Sequence, residues 1–159
     1  MQRELVHLGN GAHALAIQIL GNSEDAADAV HDAFATALAR PESYDSRRGA
    51  LKPWFLRVVR NRCIDLLRKR RPTGIDADLL ADPGTAPDEQ LENRQRDLSL
   101  KKALAAISPE KRQIVVLRDY LDLSYAEIAM VLDVAPGTVM SRLHRARMDL
   151  KKELEGCDE

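Results

Sequence analysis

An all-α fold of two small helical domains joined by a flexible acidic linker is predicted by three observations on this chain of 159 residues. Aromatics are only 4% of the sequence while hydrophobic residues reach 45%, a composition that favours helices over a strand-rich sandwich. Apolar residues recur at spacings of three and four in both halves, between capping and stop signals. Between the halves, RPTGIDADLLADPGTAP carries three Pro and two Gly with no apolar period, a composition of irregular chain. The division is therefore a first domain at 1–71, a linker at 72–97 and a second domain at 98–159.

In the first half, Gly11 to Leu20 is mostly apolar and ends at Gly21-Asn22, a helix stop. Asn22 or Ser23 caps the next helix, expected over Ser23 to Ala39, with Glu24 and Asp25 in its first turn at the positive end of the macrodipole. Val30, Phe34, Ala37 and Leu38 form its core stripe, and Asp25, Asp28 and Asp32 line another face. That face is either a solvated surface or a dock for a basic partner. The polar segment Glu42 to Lys52 reads as a loop, and Pro53 opens a helix running to about Arg71. Phe55, Val59 and Leu66 lie on one side of it with Val58, Cys63 and Leu67 beside them. Arg57, Arg60, Asn61, Arg68 and Arg71 share the opposite face. Cations there would hold phosphates and the amide could pair with a base edge; the alternative is a solvated face. Trp54 suits a core anchor or a base-stacking platform.

In the second half, Ser108-Pro109-Glu110 opens a helix whose core stripe is Ile114, Val115, Leu117 and Leu121. Ser124-Tyr125-Ala126-Glu127 matches the capping box and begins a short helix with Ile128, Ala129 and Leu132 inward. A turn near Asp133-Val134-Ala135 leads into Pro136-Gly137-Thr138 and a last helix with Val139, Leu143, Ala146 and Leu150 inward. Met140, Ser141, His144 and Arg145 then face outward. Two short helices joined by a tight turn, the second with small polar and basic outward residues, make a helix-turn-helix suited to the major groove.

Charge sharpens this reading. The 24 basic and 25 acidic residues give a net charge of −1, too little for binding nucleic acid by bulk charge alone. Yet Arg40 to Arg71 holds eleven Lys or Arg against three acids, and Pro72 to Asp97 holds seven acids against two Arg. Nucleic-acid contact is therefore expected to be local. No apolar run reaches the roughly 18–20 residues needed to span a bilayer, and MQRELVHLGN lacks a signal-peptide core, which predicts a cytoplasmic protein without membrane insertion. Cys63 and Cys157 form no pair, His7, His13, His31 and His144 lack ligand spacing, and no phosphate-cradling Gly loop or nucleophile elbow occurs. No metal, cofactor or catalytic centre is expected.

Three strings taken together resemble a bacterial sigma factor of the extracytoplasmic-function type, a minimal member of the sigma-70 family. LGNSEDAADAVHDAFATAL is similar to the family's polymerase-docking helix and YDSRRGALKPWFLRVVRNRCIDLLRKRR to its promoter-melting segment. ISPEKRQIVVLRDYLDLSYAEIAMVLDVAPGTVMSRLHRAR is similar to its minus-35 reader. The resemblance implies that 1–71 is sigma domain 2 and 98–159 sigma domain 4. Asp25, Asp28, Val30, Asp32 and Phe34 would belong to the helix that docks on the β′ coiled coil of core RNA polymerase. Tyr44, Asp45, Arg47 and Gly49 would help to form a pocket for an extruded minus-10 base, beside Arg57, Arg60 and Asn61 on the strand. Thr138, Met140, Ser141, Arg142, His144 and Arg145 would face the minus-35 duplex. Promoter DNA, the polymerase's β flap and an anti-sigma factor are the further partners implied. A conventional dimeric helix-turn-helix regulator, and a sigma mimic that sequesters an anti-sigma protein, are the competing readings.

Overall fold

The structure, a computed structural model, describes residues 2–69 and 91–157. Eight α-helices and no strand occur among them. The first half contains α1 (Gln2–His7), α2 (Gly9–Leu20), α3 (Ser23–Ala39) and α4 (Leu51–Lys69), with a 3-10 turn at Pro41–Ser43. The second contains α5 (Leu91–Ala106), α6 (Pro109–Val115) continuing into a π-helical turn (Val116–Tyr120), α7 (Tyr125–Leu132) and α8 (Pro136–Cys157).

Local signals set most of the boundaries. Gly21 ends α2 in the left-handed region at φ 75°, its N–H returning to the Ile17 carbonyl, a conformation open to Gly at no Cβ cost. Asn22 caps α3, its Oδ1 accepting the Asp25 N–H at 2.9 Å. Ala26, Ala29, Ala33 and Ala37 are the buried small residues of α3, which lets α2 and α4 approach closely on its inner face. Phe34 and Phe55 meet at 4.8 Å between ring centroids, while Val59 and Cys63 continue the buried stripe of α4.

Three boundaries depart from the sequence reading. The first expected helix starts at Gly9 and is preceded by α1, so Gly9 and Gly11 are both helical. α4 starts at Leu51, two residues before Pro53; proline is tolerated anywhere in a first turn, where the N–H has no intrahelical partner. α5 begins at Leu91, inside the stretch expected as linker, because LENRQRDL contains good helix formers and neither Gly nor Pro. Arg71 and the acids Asp76, Asp78, Asp82, Asp88 and Glu89 lie outside the described residues.

The second half packs α6, α7 and α8 around Ile114, Leu117, Leu123, Ile128, Val131, Val139, Leu143 and Ala146, all buried. Ser124 Oγ accepts the Glu127 N–H at 3.1 Å and Glu127 Oε1 accepts the Ser124 N–H at 2.9 Å, a complete capping box. Asp133 closes α7 in the left-handed region at φ 57°. The π turn, in which the Leu121 N–H reaches the Val116 carbonyl at 2.9 Å, was not readable from spacing.

One hydrophobic cluster runs through both halves, with α2 against α6 and α4 against α7. Arg112 is buried at this junction. Its Nη1 donates to the carbonyls of Leu104, Ala105 and Ile107, at the end of α5, and its Nη2 to the carbonyl of Gln18 in α2 at 3.4 Å.

Replacing Ser124 by Ala should lower unfolding free energy by about 1 kcal/mol, the usual worth of an N-cap. Arg112→Met keeps the stem but removes the donor shared by the Leu104, Ala105, Ile107 and Gln18 carbonyls, and should cost about 2–3 kcal/mol. Urea denaturation with an unchanged m-value would check both; an Arg112→Met protein as stable as the parent would contradict the junction described here.

Candidate nucleic-acid interface

The candidate surfaces lie on three helices and one loop. On α3, Asp28 is exposed and Asp25 half-buried. Asp32, at the same helical phase, accepts from Arg62 of α4, Nη2–Oδ2 at 3.0 Å and Nε–Oδ2 at 3.1 Å. Arg62 thus ties the acidic helix to α4, a contact that the sequence reading missed because Arg62 falls outside the basic stripe. Val30 is buried and Phe34 packs on Phe55, so these two shape the helix from beneath while the acids face outward.

The loop after α3 is held by its own side chains. Tyr44 Oη donates to the Gly49 carbonyl at 3.0 Å, and the Tyr44 ring lies 5.2 Å from that of the half-buried Trp54. Asp45 Oδ1 accepts the Arg47 N–H at 3.0 Å, an Asx-type turn that fixes the chain locally. Gly49 adopts φ 155°, which an L side chain rarely does. Arg47 and Arg48 point to solvent.

On α4, Arg57 and Arg60 are half-buried, while Asn61 and Arg68 are exposed. Together with Ile64 and Asp65 they line a cleft whose opposite wall is Leu132 and Asp133, from α7 and its turn. Arg60 Nε donates to Gln113 Oε1 at 2.9 Å, and Arg57 lies 3.9 Å from Asp133. Burial pulls the Arg60 guanidinium below its ordinary pKa and Arg142 lowers it further, while Glu110 and Asp133 oppose this. A cationic wall with an amide at its centre suits a phosphate backbone and one base. Gln113 and Asp133 carry no local pattern that announces them.

On α8, Met140, Ser141, Arg142, His144 and Arg145 are exposed and Thr138 is half-buried. Val139, Leu143 and Ala146 are buried beneath them, so the outward face is set by core packing. Ion pairs fix the helix further along. Arg147 makes a two-point contact to Asp119, Nη2–Oδ1 at 2.5 Å and Nε–Oδ2 at 3.2 Å, and Lys111 pairs with Asp149. The hydrogen bond from Arg147 raises that guanidinium's pKa, and the one from Lys111 holds the Asp149 carboxyl below the usual range. Arg118 donates to the Leu123 carbonyl at 2.7 Å and sits 5.1 Å above the Tyr125 ring centroid, bracing the turn before α7. Among the described residues no group of three His, Cys, Asp or Glu could hold a metal ion. No described helix is long and apolar enough to cross a membrane.

Comparison with known proteins agrees with this layout. The family model for sigma-70 region 2 matches residues 6–73, and that for sigma-70 region 4 matches residues 97–150. The ECF RNA polymerase sigma factor SigW of Bacillus subtilis is 28% identical over 155 residues, covering 89% of this chain and 82% of its own. SigM of Mycobacterium tuberculosis, also an ECF RNA polymerase sigma factor, is 37% identical over 146 residues, covering 89% and 70%. Among solved structures, the sigma factor RpoE in complex with the anti-sigma factor NepR from Bartonella quintana superposes with a TM-score of 0.77 at 28% identity, over 96% of this chain and 95% of that one. CnrH in complex with the cytosolic domain of CnrY superposes with a TM-score of 0.69 at 25% identity, over 97% and 86%. With both sigma-70 regions present in order and full-length relatives of this kind, the chain belongs to the extracytoplasmic-function sigma factors of RNA polymerase.

Proposed function

We propose that this sigma factor directs core RNA polymerase to promoters by dividing the work between α3, α4 and α8. The observation that carries the division is that one chain presents an acidic helix, an arginine and amide cleft and a helix-turn-helix on three distinct faces. Asp25, Asp28 and Asp32 of α3 dock on the β′ coiled coil, with Arg62 positioning Asp32 and the Val30–Phe34 side seating the helix. The half containing α5 to α8 meets the β flap.

Downstream of docking, Arg57, Arg60 and Asn61 grip the minus-10 strand. The loop built from Tyr44, Asp45, Arg47 and Gly49 receives an extruded base. Extrusion costs a few kcal/mol of stacking, and a loop already fixed by the Tyr44–Gly49 bond spends little further entropy on ordering. On α8, Ser141, Arg142 and Arg145 read or hold the minus-35 duplex, with Thr138, Met140 and His144 bordering them. An anti-sigma factor is the expected antagonist, a reading supported by the solved relative RpoE, described in complex with the anti-sigma factor NepR. The halves 1–71 and 98–159 are assigned as sigma domains 2 and 4.

Transcription from a promoter-fragment library, with sigma-free core polymerase and this protein, tests the reading; start sites that share a two-element motif are the expected result. Dimeric binding to duplex without polymerase, and no transcripts, would support a conventional regulator instead. On a promoter found this way, Asn61→Ala and Arg57→Ala should reduce open-complex formation about tenfold or more while leaving core binding intact. Arg145→Ala should weaken promoter binding by about 1–3 kcal/mol, with little effect on a promoter already opened as a bubble. Permanganate footprinting separates the two effects.

A further inference from the structure

We infer that Gly137 and Met140 of α8 form an uncharged seat that reads the 5-methyl group of a thymine in the minus-35 element. The inference rests on the sigma-factor reading and adds one specificity-determining contact to it. Side chains on the outward face of α8 fall into two rows, because residues three and four apart share a helix face. Thr138, Arg142 and Arg145 make one row, with two guanidinium groups. Gly137, Met140, Ser141 and His144 make the other, with no Lys, Arg, Asp or Glu among them. The cationic row suits phosphates, which position a protein on the duplex, so the row beside it faces the base edges that specify sequence.

Gly137 is a glycine that the fold does not require. It sits in the first turn of α8, is exposed, and a Cβ placed on it would meet no atom within 4 Å. Its φ lies outside the left-handed region that Gly21 occupies. Neither backbone conformation nor packing within the chain explains the missing side chain, and Ala forms helix more readily. Close approach of the backbone to a ligand is the remaining use of glycine. Met140 lies three residues further along the same row and is 57% exposed. A lone exposed methionine is ordinary. One beside a bare backbone, in the turns of a reader helix that meet base edges, presents an apolar surface to the groove floor.

Chemistry selects the ligand. In the major groove three of the four bases present only donors and acceptors, whereas thymine adds an apolar C5 methyl. A thioether has no donor and is a weak acceptor, so Met140 gains from that methyl and from little else there. Its flexible stem follows an irregular surface without strain. Ser141 Oγ donates to the Thr138 carbonyl at 3.1 Å; toward a base it therefore only accepts, and thymine O4, itself an acceptor, gains nothing from it. The helix is held in this aim by Val139 and Leu143, buried beneath, and by Arg147 bound to Asp119 on the Met140 side. Met148, 49% exposed, lies two turns further on, about 12 Å along the axis, beyond the amino-terminal turns that contact bases.

On a minus-35 element found with the promoter library, each thymine of either strand is replaced in turn by deoxyuridine, which lacks only the methyl group. Holoenzyme formed with the parent protein should lose about fourfold in promoter affinity at one thymine, as burial of one methyl group implies. Met140→Ala and Met140→Gln should bind the thymine and deoxyuridine promoters equally at that position, whereas Met140→Leu, still apolar, should keep most of the discrimination. Gly137→Ala should melt no lower than the parent, because the Cβ has room, yet bind the promoter several-fold more weakly. Met148→Ala should leave the pattern unchanged. An element without an A·T pair, no thymine at which deoxyuridine matters, or a deoxyuridine effect that survives Met140→Ala would overturn the seat. So would a Gly137→Ala protein that binds as tightly as the parent, or a Met140→Ala protein whose loss is in affinity for core polymerase, which would mark Met140 as a protein contact. Absence of transcripts from the library with every protein would instead overturn the sigma-factor reading.

Discussion

The architecture turns on one buried guanidinium, Arg112, whose hydrogen-bond partners among the described residues are all backbone carbonyls. Arg112 is held by backbone carbonyls at the ends of two helices, three from the α5 corner and one from α2. Burial draws its pKa below the ordinary value, and the partial negative charge at helix C-termini opposes that penalty. Its Nε is left without a partner among the described residues, so the site tolerates no further loss. A buried charge demands that its acceptors stay in place. It therefore fixes the angle between α5 and α6, from which the helix-turn-helix is suspended, and ties that corner to the first half through Gln18.

Side chains that act within a few residues were legible in the sequence; those that act across it were not. Asn22, Gly21, and the Ser124–Glu127 box each satisfy backbone groups three or four residues away, so their roles follow from local spacing. The same holds for Val139, Leu143 and Ala146, buried by helical period alone. By contrast, the Arg60–Gln113 and Lys52–Leu121 contacts join residues 53 and 69 positions apart, and no periodicity encodes a partner at that range. The π turn escaped because one widened turn hardly changes a pattern of apolar residues. The candidate reading surfaces were visible as faces; what covers one of them was not.

Segregated charge is what allows a chain of net charge −1 to carry nucleic-acid surfaces. Eleven cations between Arg40 and Arg71 are partly occupied at home: Arg62 by Asp32, Arg57 and Arg60 by the second half, Lys52 by a carbonyl. Each such contact subtracts from the positive field that free DNA would meet. A subunit that acts beside a large DNA-binding polymerase gains from weak affinity on its own, since it then does not occupy promoters unproductively.

The two candidate readers differ in how they are held, and the difference matches the roles proposed for them. α8 is pinned from below by its buried stripe and from the side by Arg147–Asp119 and Lys111–Asp149. In the proposed role it meets duplex DNA whose groove already has its shape, and rigidity there limits the entropy lost on binding. The α4 cleft has its own rigid rim in the Tyr44–Gly49 loop, yet its cations rest on exchangeable partners. In the proposed role it receives a strand that exists only after base pairs part, so its binding groups need partners they can surrender at that moment. Preorganised backbone with exchangeable side-chain contacts meets both demands, whereas a permanently paired Arg57 or Arg60 would compete with the strand and an unpaired one would bind duplex phosphates too early.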